Sequence, residues 1–454
     1  MKPNILFITI DALRADKTLG DNKTSYTPNM DSLISDGTFF DKTIAAADQT
    51  GSSLASIFTS KFPITSGINQ FNFTSETEIL LKYFKNSGYN LFSIVPEHEF
   101  FKNLNKNFDD SEIFEMKKKA SWKRLSDGLG VEIIEKIISM KDKQPWFFYV
   151  HIMDIRPPFD ISKEFEEEKF GDNNYEKLVS EIDVWLGKIF EVIDFKKTLV
   201  VLSADHGEYI PFTGEYLGGS SKTQRAVRNT TKSVPLLDKI GLKAVMNLRY
   251  ASQTYKKEIL KRKLTPFQMR SFNTRGANAL YDETVHVPLI FSGYDVISKR
   301  IIGDLTRQVD IFPTLLDIAG IEFEKEKIDG RSLLPLLKNE KLDEIPAYIE
   351  TGINLGLLLD KKPKTLGKII GVRTKSYKYW RERNDPSDEC CLFNLENDPN
   401  EEENIASDNP KIVTEMENYL SNWKNRSDKT DSNKELTKDE IEEAKETLLK
   451  LGYI

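Results

Sequence analysis

Short, mostly apolar runs recur along this chain: NILFITI (4–10), YNLFSIV (89–95), PWFFYVHIM (145–153), KTLVVLSA (197–204) and VPLIFSG (287–293). Rich in β-branched and aromatic residues and only seven to nine residues long, they predict strands buried on both faces. Helical patterns between them, such as ETEILLKYFKNSG (76–88), supply the covering layers. The expected fold class is α/β, a mostly parallel sheet covered by helices on both faces.

Beyond VDIFPTLLDIAGI (309–321), read as an amphipathic helix closed by Gly320, the character changes. The runs AYIET, KIIGVRTKSYKYWRE and CCLFNLENDP alternate and are separated by turn residues, which predicts a small C-terminal antiparallel sheet, then a helix near 409–423. The predicted division is a main unit over 1–340, a sheet-and-helix subdomain over 341–424, and a polar linker with a terminal helix over 425–454. A basic, helix-rich stretch at about 211–272 interrupts the main unit, either as a lid or substrate-selecting cap or as a solvated elaboration.

Composition narrows the partners. With 64 basic against 71 acidic residues the net charge is -7, which argues against nucleic acid, since that binding rests on neutralising phosphates. An anionic substrate would need a local positive site. The 2 cysteines, Cys390 and Cys391, are adjacent and offer neither a disulfide framework nor a thiolate zinc site. The first apolar run is followed by an aspartate instead of a small-residue cleavage site, so it reads as a strand and not a signal peptide. No stretch approaches the ~18 apolar residues of a membrane span. A soluble, cytoplasmic protein is the expectation, with the terminal helix packing on its own domain or on a second subunit, so oligomerisation stays open.

In open α/β sheets ligands sit beyond the carboxyl ends of the strands. Those positions hold Asp11, His151 and Asp154, and Asp205 with His206 in the segment ADHGE. Two carboxylates and a histidine suit one divalent ion, Mn, Mg, Ca or Zn, with Thr50 as a further ligand. Thr50 opens TGSSLASIFTSKFP (50–63), where it stands just before a helix. As a cap it would be ordinary; as a nucleophile it needs a cation or base to lower its pKa. Capping by Ser52 or Ser53 would leave the helix amides facing an anion beside Thr50, a phosphate or sulfate geometry.

These segments resemble the sulfatase branch of the alkaline phosphatase superfamily. NILFITIDALRAD is similar to its opening strand and first metal aspartate, TPNMDSLISDGTFFDKTIA to TPNLDxLAxxGxxFxxxxA, and TGSSLASIFTSKFP to the signature C/S/T-x-P-S-x-A-S-x-x-T-G-x-x-P. VHIMDIRPPF resembles VHxxDPHxPY, SADHGE resembles the second metal pair, and LYDETVHVPLIF, IDGRSLLPLL, GVRTKSYKYW and LFNLENDPNEEENIA follow in family order. The resemblance implies an alkaline phosphatase-like core in which Asp11, Thr50, Asp205 and His206 surround one divalent ion and Thr50 attacks an ester. His151 would bind the substrate or protonate the leaving group, while Arg156 and Arg275, standing where the family has basic residues, would bind it.

The departures redirect that expectation. Family sulfatases convert the signature Cys or Ser to formylglycine, whereas oxidising a threonine would give a methyl ketone. The signature Pro is Ser52, the Arg that follows is Leu54, a second metal aspartate is Ala12, and the His of DPH is Arg156. Threonine nucleophiles belong to the phosphoryl-transferring relatives. The expected activity is therefore hydrolysis of a phosphate mono- or diester through a covalent Thr50 intermediate. The alternatives are a sulfuric ester hydrolase working without formylglycine and a catalytically silent sulfatase-like binding protein. His98 and His286 show that a histidine here need not have a task, and His286 in VHVPL reads as structural.

Overall fold

The computed structural model describes residues 2–69, 72–117, 121–156, 159–211, 258–273, 275, 279–352, 369–385 and 390–426. Most of the predicted insertion, and nearly all of the linker and terminal helix predicted over 425–454, lie outside the described residues.

Every apolar run of the sequence forms a strand of one sheet. In chain order the strands are β1 (Asn4–Ile10), β2 (Gly37–Ile44), β3 (Asn90–Pro96) and β4 (Asp110–Phe114), then a short ribbon of β5 (Met116–Lys117) and β6 (Ser121–Trp122). They continue with β7 (Trp146–Ile152), β8 (Thr198–Ala204), β9 (His286–Gly293) and β10 (Arg300–Arg307). The 8-stranded sheet has the order β10-β2-β9-β8-β1-β7-β3-β4. All neighbours run parallel except β9, which is antiparallel to both β2 and β8.

Alternation along each strand divides the core. Leu6, Ile8 and Ile10 of β1 face a cluster with Ile133, Leu178 and Ile182 from the helices Leu129–Ser139 and Asn174–Phe190. Ile5 and Phe7 face the other side, against Leu54 and Phe58 of the helix Thr50–Thr59 and Phe312 and Leu315 of the helix Ile311–Ile318. Polar residues that share the Phe7 face of β1 are thereby aimed toward the Thr50 helix.

The C-terminal strands β11 (Ala347–Glu350), β12 (Ile369–Arg373), β13 (Tyr377–Glu382) and β14 (Cys391–Asn394) form a 4-stranded antiparallel sheet in that order. The helix Pro410–Asn425 covers it through Met416, Leu420 and Trp423. Several contacts fasten this unit to the rest of the chain. Lys378, fully buried, lies 2.8 Å from Asp282 Oδ1 and 2.9 Å from Glu401 Oε1. Glu350 at the end of β11 forms a parallel bridge to Ala47, its N–H donating to the Ala46 carbonyl at 3.0 Å, just ahead of Thr50.

Candidate active site

Thr50 is the first residue of its helix and does not precede it, and neither Ser52 nor Ser53 caps it. The extended Gln49 (φ -138, ψ 143) occupies the N-cap position with no side-chain cap bond. Ser53 lies inside the first turn, where its hydroxyl is drawn back to the Ala47 carbonyl at 2.7 Å, a local bond that competes with capping. The expected capping serines are thus corrected, while the first-turn amides still have no side-chain cap and carry the positive end of the helix dipole.

The sheet edge brings the other groups to that helix end. Asp11 leaves β1 with its N–H bound to the Ile152 carbonyl at 2.8 Å, and Asp205 and His206 leave the adjacent β8. Thr50 Oγ1 donates to Asp11 Oδ1 at 3.3 Å and lies 3.2 Å from His206 Nε2. His206 Nδ1 is 2.9 Å from the Gly207 carbonyl. A carbonyl only accepts, so Nδ1 carries the proton and Nε2 presents its lone pair, 3.5 Å from Asp11 Oδ1 and 3.3 Å from Asp205 Oδ2. Asp205 Oδ1 accepts from the N–H of Ala12 at 3.1 Å and of His206 at 2.8 Å, whereas Oδ2 is buried and has no hydrogen-bond partner among the described residues.

Charge follows burial. Burial raises the Asp11 carboxyl, but Arg156, donating from Nε to Asp11 Oδ2 at 2.9 Å, together with His206, Arg275 and His151 outweighs it and holds Asp11 well below the ordinary carboxylate range. Asp205 moves the other way, raised by burial and then by the Asp11 charge. Burial, then Arg275, pushes His206 well below the usual imidazole range, so it stays neutral. Asp11 and Asp205 are fully buried with Arg156 paired to Asp11, the neutral His206 imidazole turns its Nε2 lone pair toward them while accepting from Arg275 Nη1, and among the described residues Asp205 Oδ2 has no donor. That donor set fits a hard or borderline divalent cation.

The remaining expected residues divide. Arg275 reaches the centre: Nη1 donates to His206 Nε2 at 2.7 Å and to the Asp48 carbonyl at 3.0 Å, and Nε to Glu208 Oε2 at 3.0 Å. His151, fully buried on β7, places a ring nitrogen within 4.8 Å of carboxylate oxygens of Asp11 and Asp205. Asp154 does not join them. Its Oδ1 accepts from the Leu125 N–H at 3.1 Å and lies 3.8 Å from Arg124 Nε, and burial pushes its carboxyl up to about 7. His98 caps the helix Glu99–Asn105 by accepting from the Phe100 N–H, and His286 Nε2 bonds the Asp41 carbonyl.

Sequence reasoning passed over several residues that build the site. Glu208 lies in the quoted ADHGE and holds Arg275. Gln308 Nε2 clamps the Asp205 loop by donating to the carbonyls of Ala204 at 2.6 Å and Asp205 at 2.8 Å. Thr9 and Tyr149 touch the inner edge of His151. For Thr9 and Tyr149 the one signal is position, since Thr9 lies two residues from Phe7 on β1 and Tyr149 two residues from His151 on β7, and each shares a face with that partner.

Known proteins agree with this architecture. The family model described as Sulfatase matches residues 3–321, and that described as N-sulphoglucosamine sulphohydrolase, C-terminal, matches residues 272–426. Arylsulfatase K of Mus musculus is 30% identical over 151 residues, 31% of this chain and 25% of the relative. Delta 4,5-hexuronate-2-O-sulfatase of Bacteroides thetaiotaomicron is 32% identical over 154 residues, 33% of this chain and 30% of the relative. The matched stretch thus spans under a third of either relative's length. Among solved structures, a phosphonate monoester hydrolase of Agrobacterium radiobacter superposes with a TM-score of 0.66 at 16% identity, covering 96% of this chain and 99% of that one. A 2-O GAG sulfatase gives 0.63 at 18%, covering 97% and 96%. At such identities these structures establish the fold alone. With one family model running through the main unit and a second through the small sheet, this chain belongs to the sulfatase family.

Proposed function

We propose that this chain hydrolyses a small phosphate ester, mono- or diester, by attack of Thr50 Oγ1 and release of a covalent phosphothreonine to water. The observation that carries the reading is the position of that oxygen, 3.3 Å from Asp11 Oδ1 and 3.2 Å from the lone pair of His206 Nε2, at the mouth of an uncapped helix. Asp11, Asp205, His206 and Thr50 would hold a divalent cation, whose Lewis acidity lowers the pKa of the hydroxyl and offsets charge on the transferred group.

The chain's own groups do the rest. Asp11, kept ionised by Arg156, accepts the Thr50 hydroxyl proton and so turns an oxygen lone pair outward, toward an anion at the helix end. Arg156, bound to Asp11, and Arg275, bound to His206, bring guanidinium charge to the groups around the threonine, suited to paired contacts with oxyanions and, unlike a histidine, unable to give up a proton near neutral pH. The Thr50 oxygen bonds phosphorus as the ester oxygen departs with the bonding pair, and water then cleaves the O–P bond at phosphorus.

A second reading, hydrolysis of a sulfate ester by the same hydroxyl, is favoured by the matched family models and by the curated relatives, which are sulfatases. Incubation with aryl phosphate, phosphodiester, phosphonate and sulfate esters, followed by intact-mass measurement, distinguishes them. The expected result is turnover of phosphorus esters, a phosphate adduct on the wild-type chain, and loss of both adduct and at least ~10³-fold in rate in Thr50→Ala. An adduct that survives Thr50→Ala refutes the nucleophile, and preferential turnover of the sulfate ester selects the second reading.

A further inference from the structure

We infer that His151 is locked with its proton on Nε2, which makes it a hydrogen-bond donor to an oxygen of the bound anion and removes it from the cation's ligands. Thr9 and Tyr149 are the positioning residues that lock it.

The register of β1 and β7 sets Thr9 directly opposite His151, and Tyr149, two residues from His151, shares its face. Three polar atoms close a triangle: Thr9 Oγ1 lies 2.8 Å from Tyr149 Oη and 2.7 Å from His151 Nδ1, and Tyr149 Oη lies 3.3 Å from Nδ1. All three side chains are fully buried. Among the described residues neither hydroxyl has an acceptor outside the triangle.

Proton counting then decides the tautomer. With Nδ1 bare, the tyrosine proton goes to Thr9 and the threonine proton to Nδ1, so both hydroxyls are matched and the Nε2–H alone looks outward for an acceptor. With Nδ1 protonated, the nitrogen can only donate, the Thr9–Tyr149 edge takes one hydroxyl proton, and among the described residues the other hydroxyl proton and the Nε2 lone pair are both left unmatched. Two unmatched buried groups against one favour the Nε2–H form, and an oxyanion in the site would match that one.

Nε2, the nitrogen turned away from the triangle, is buried without a partner among the described residues. Carrying a proton, it cannot take a cation and waits for an acceptor. A neutral imidazole donates that hydrogen bond without giving up its proton, so His151 stabilises charge on an oxygen and is not a general acid. His206 is the mirror case: its Nδ1–H bonds the Gly207 carbonyl, so Nε2 carries the lone pair, which accepts from Arg275 Nη1 and which a metal would take in that donor's place. Three nearby groups, Asp11, Asp205 and His151, therefore contribute two ligands and one donor. That the acceptor is an oxyanion rests on the ester-hydrolase reading; the tautomer does not.

Histidine-selective ¹⁵N NMR on the full chain at neutral pH tests the lock, with His151→Leu assigning the signal. A proton on Nε2 and a bare Nδ1 are expected, and with Zn²⁺ added as the probe the His151 Nε2–H persists while the His206 Nε2 resonance moves. A proton on Nδ1, or loss of the Nε2 proton on adding Zn²⁺, overturns the inference. Should His151→Leu fail to fold, His98→Gln and His286→Gln assign two signals, and the response to Zn²⁺ separates the remaining pair. Calorimetry gives an independent arm: His151→Leu should change Zn²⁺ affinity by less than about twofold, against about tenfold or more expected for removing a ligand or its support. A comparable loss in His151→Leu also overturns the inference. Inorganic phosphate that binds the Zn²⁺-loaded wild type and the variant equally overturns the donor role of His151, whereas a tautomer as expected in a protein that turns over no ester rejects the ester-hydrolase reading and leaves the lock standing.

Discussion

Asp205→Asn separates what the site does for the fold from what it does for a cation. Asp205 Oδ1 is satisfied by two N–H groups, but Oδ2 has no donor among the described residues and lies within 4.8 Å of the ionised Asp11 cluster. Two unit charges at that separation repel by about 3 kcal/mol at an effective dielectric of ~20. Because burial and then Asp11 raise this carboxyl, the folded protein keeps a proton that the unfolded chain has already released. Stability of the metal-free wild type must then fall as pH rises, by about 1.4 kcal/mol per unit, from the ordinary carboxylate range up to the raised folded value. Asparagine keeps the Oδ1 acceptor, carries no charge, and offers an N–H to the His206 Nε2 lone pair 3.3 Å away. Urea unfolding followed by tryptophan fluorescence in chelator should show the two proteins equal near about pH 4 and the variant more stable by about 3 kcal/mol at mildly alkaline pH. Added Mn²⁺ or Zn²⁺ should invert the order, stabilising the wild type by about 2.7 kcal/mol at 100-fold excess over Kd and the variant far less. A variant less stable than wild type in chelator at every pH, or one stabilised equally by metal, would refute this account of Asp205.

Two further perturbations read other parts of the structure. Glu208→Gln weakens the charge-assisted hold on Arg275 Nε and should raise KM for an anionic ester about tenfold with kcat largely kept, since it removes orientation of a binding group; an unchanged KM would show that Arg275 does not touch the substrate. Lys378→Met leaves Asp282 and Glu401 facing each other in a buried setting and should cost about 3–5 kcal/mol in denaturant unfolding, with partial recovery on adding Glu401→Gln; a loss below ~1 kcal/mol would mean that the junction is wetter than its burial implies.

What could be read from sequence followed from burial. Strands β1, β7 and β8 are covered on both faces, so their composition announces them, and Asp11, Asp205 and His206 stand out as polar residues where apolar runs stop. Strands β4 and β10 escaped notice because they form the sheet's edges: β4 carries the exposed stretch DSEI, and Ile301 of β10 is 65% exposed. Asp154 resembled Asp11 in position and parted from it only where the chain turned to meet Leu125, a tertiary event with no local code. Thr9 and Tyr149 were camouflaged, since both residue types are good strand formers and draw no attention inside an apolar run. Ser52 and Ser53 misled because the hydroxyls that mark a helix start also sit comfortably inside its first turn.

The bridge between Glu350 and Ala47 has a practical outcome for anyone cutting this chain. Asp48, one residue farther on, accepts from the Gly352 N–H through its side chain at 2.6 Å and offers its own carbonyl to Arg275. The Thr50 hydroxyl is thus moored two residues from a contact with a strand that belongs to the last quarter of the protein. Trimming that quarter to obtain a minimal enzyme would set the threonine adrift, however intact the large sheet remained.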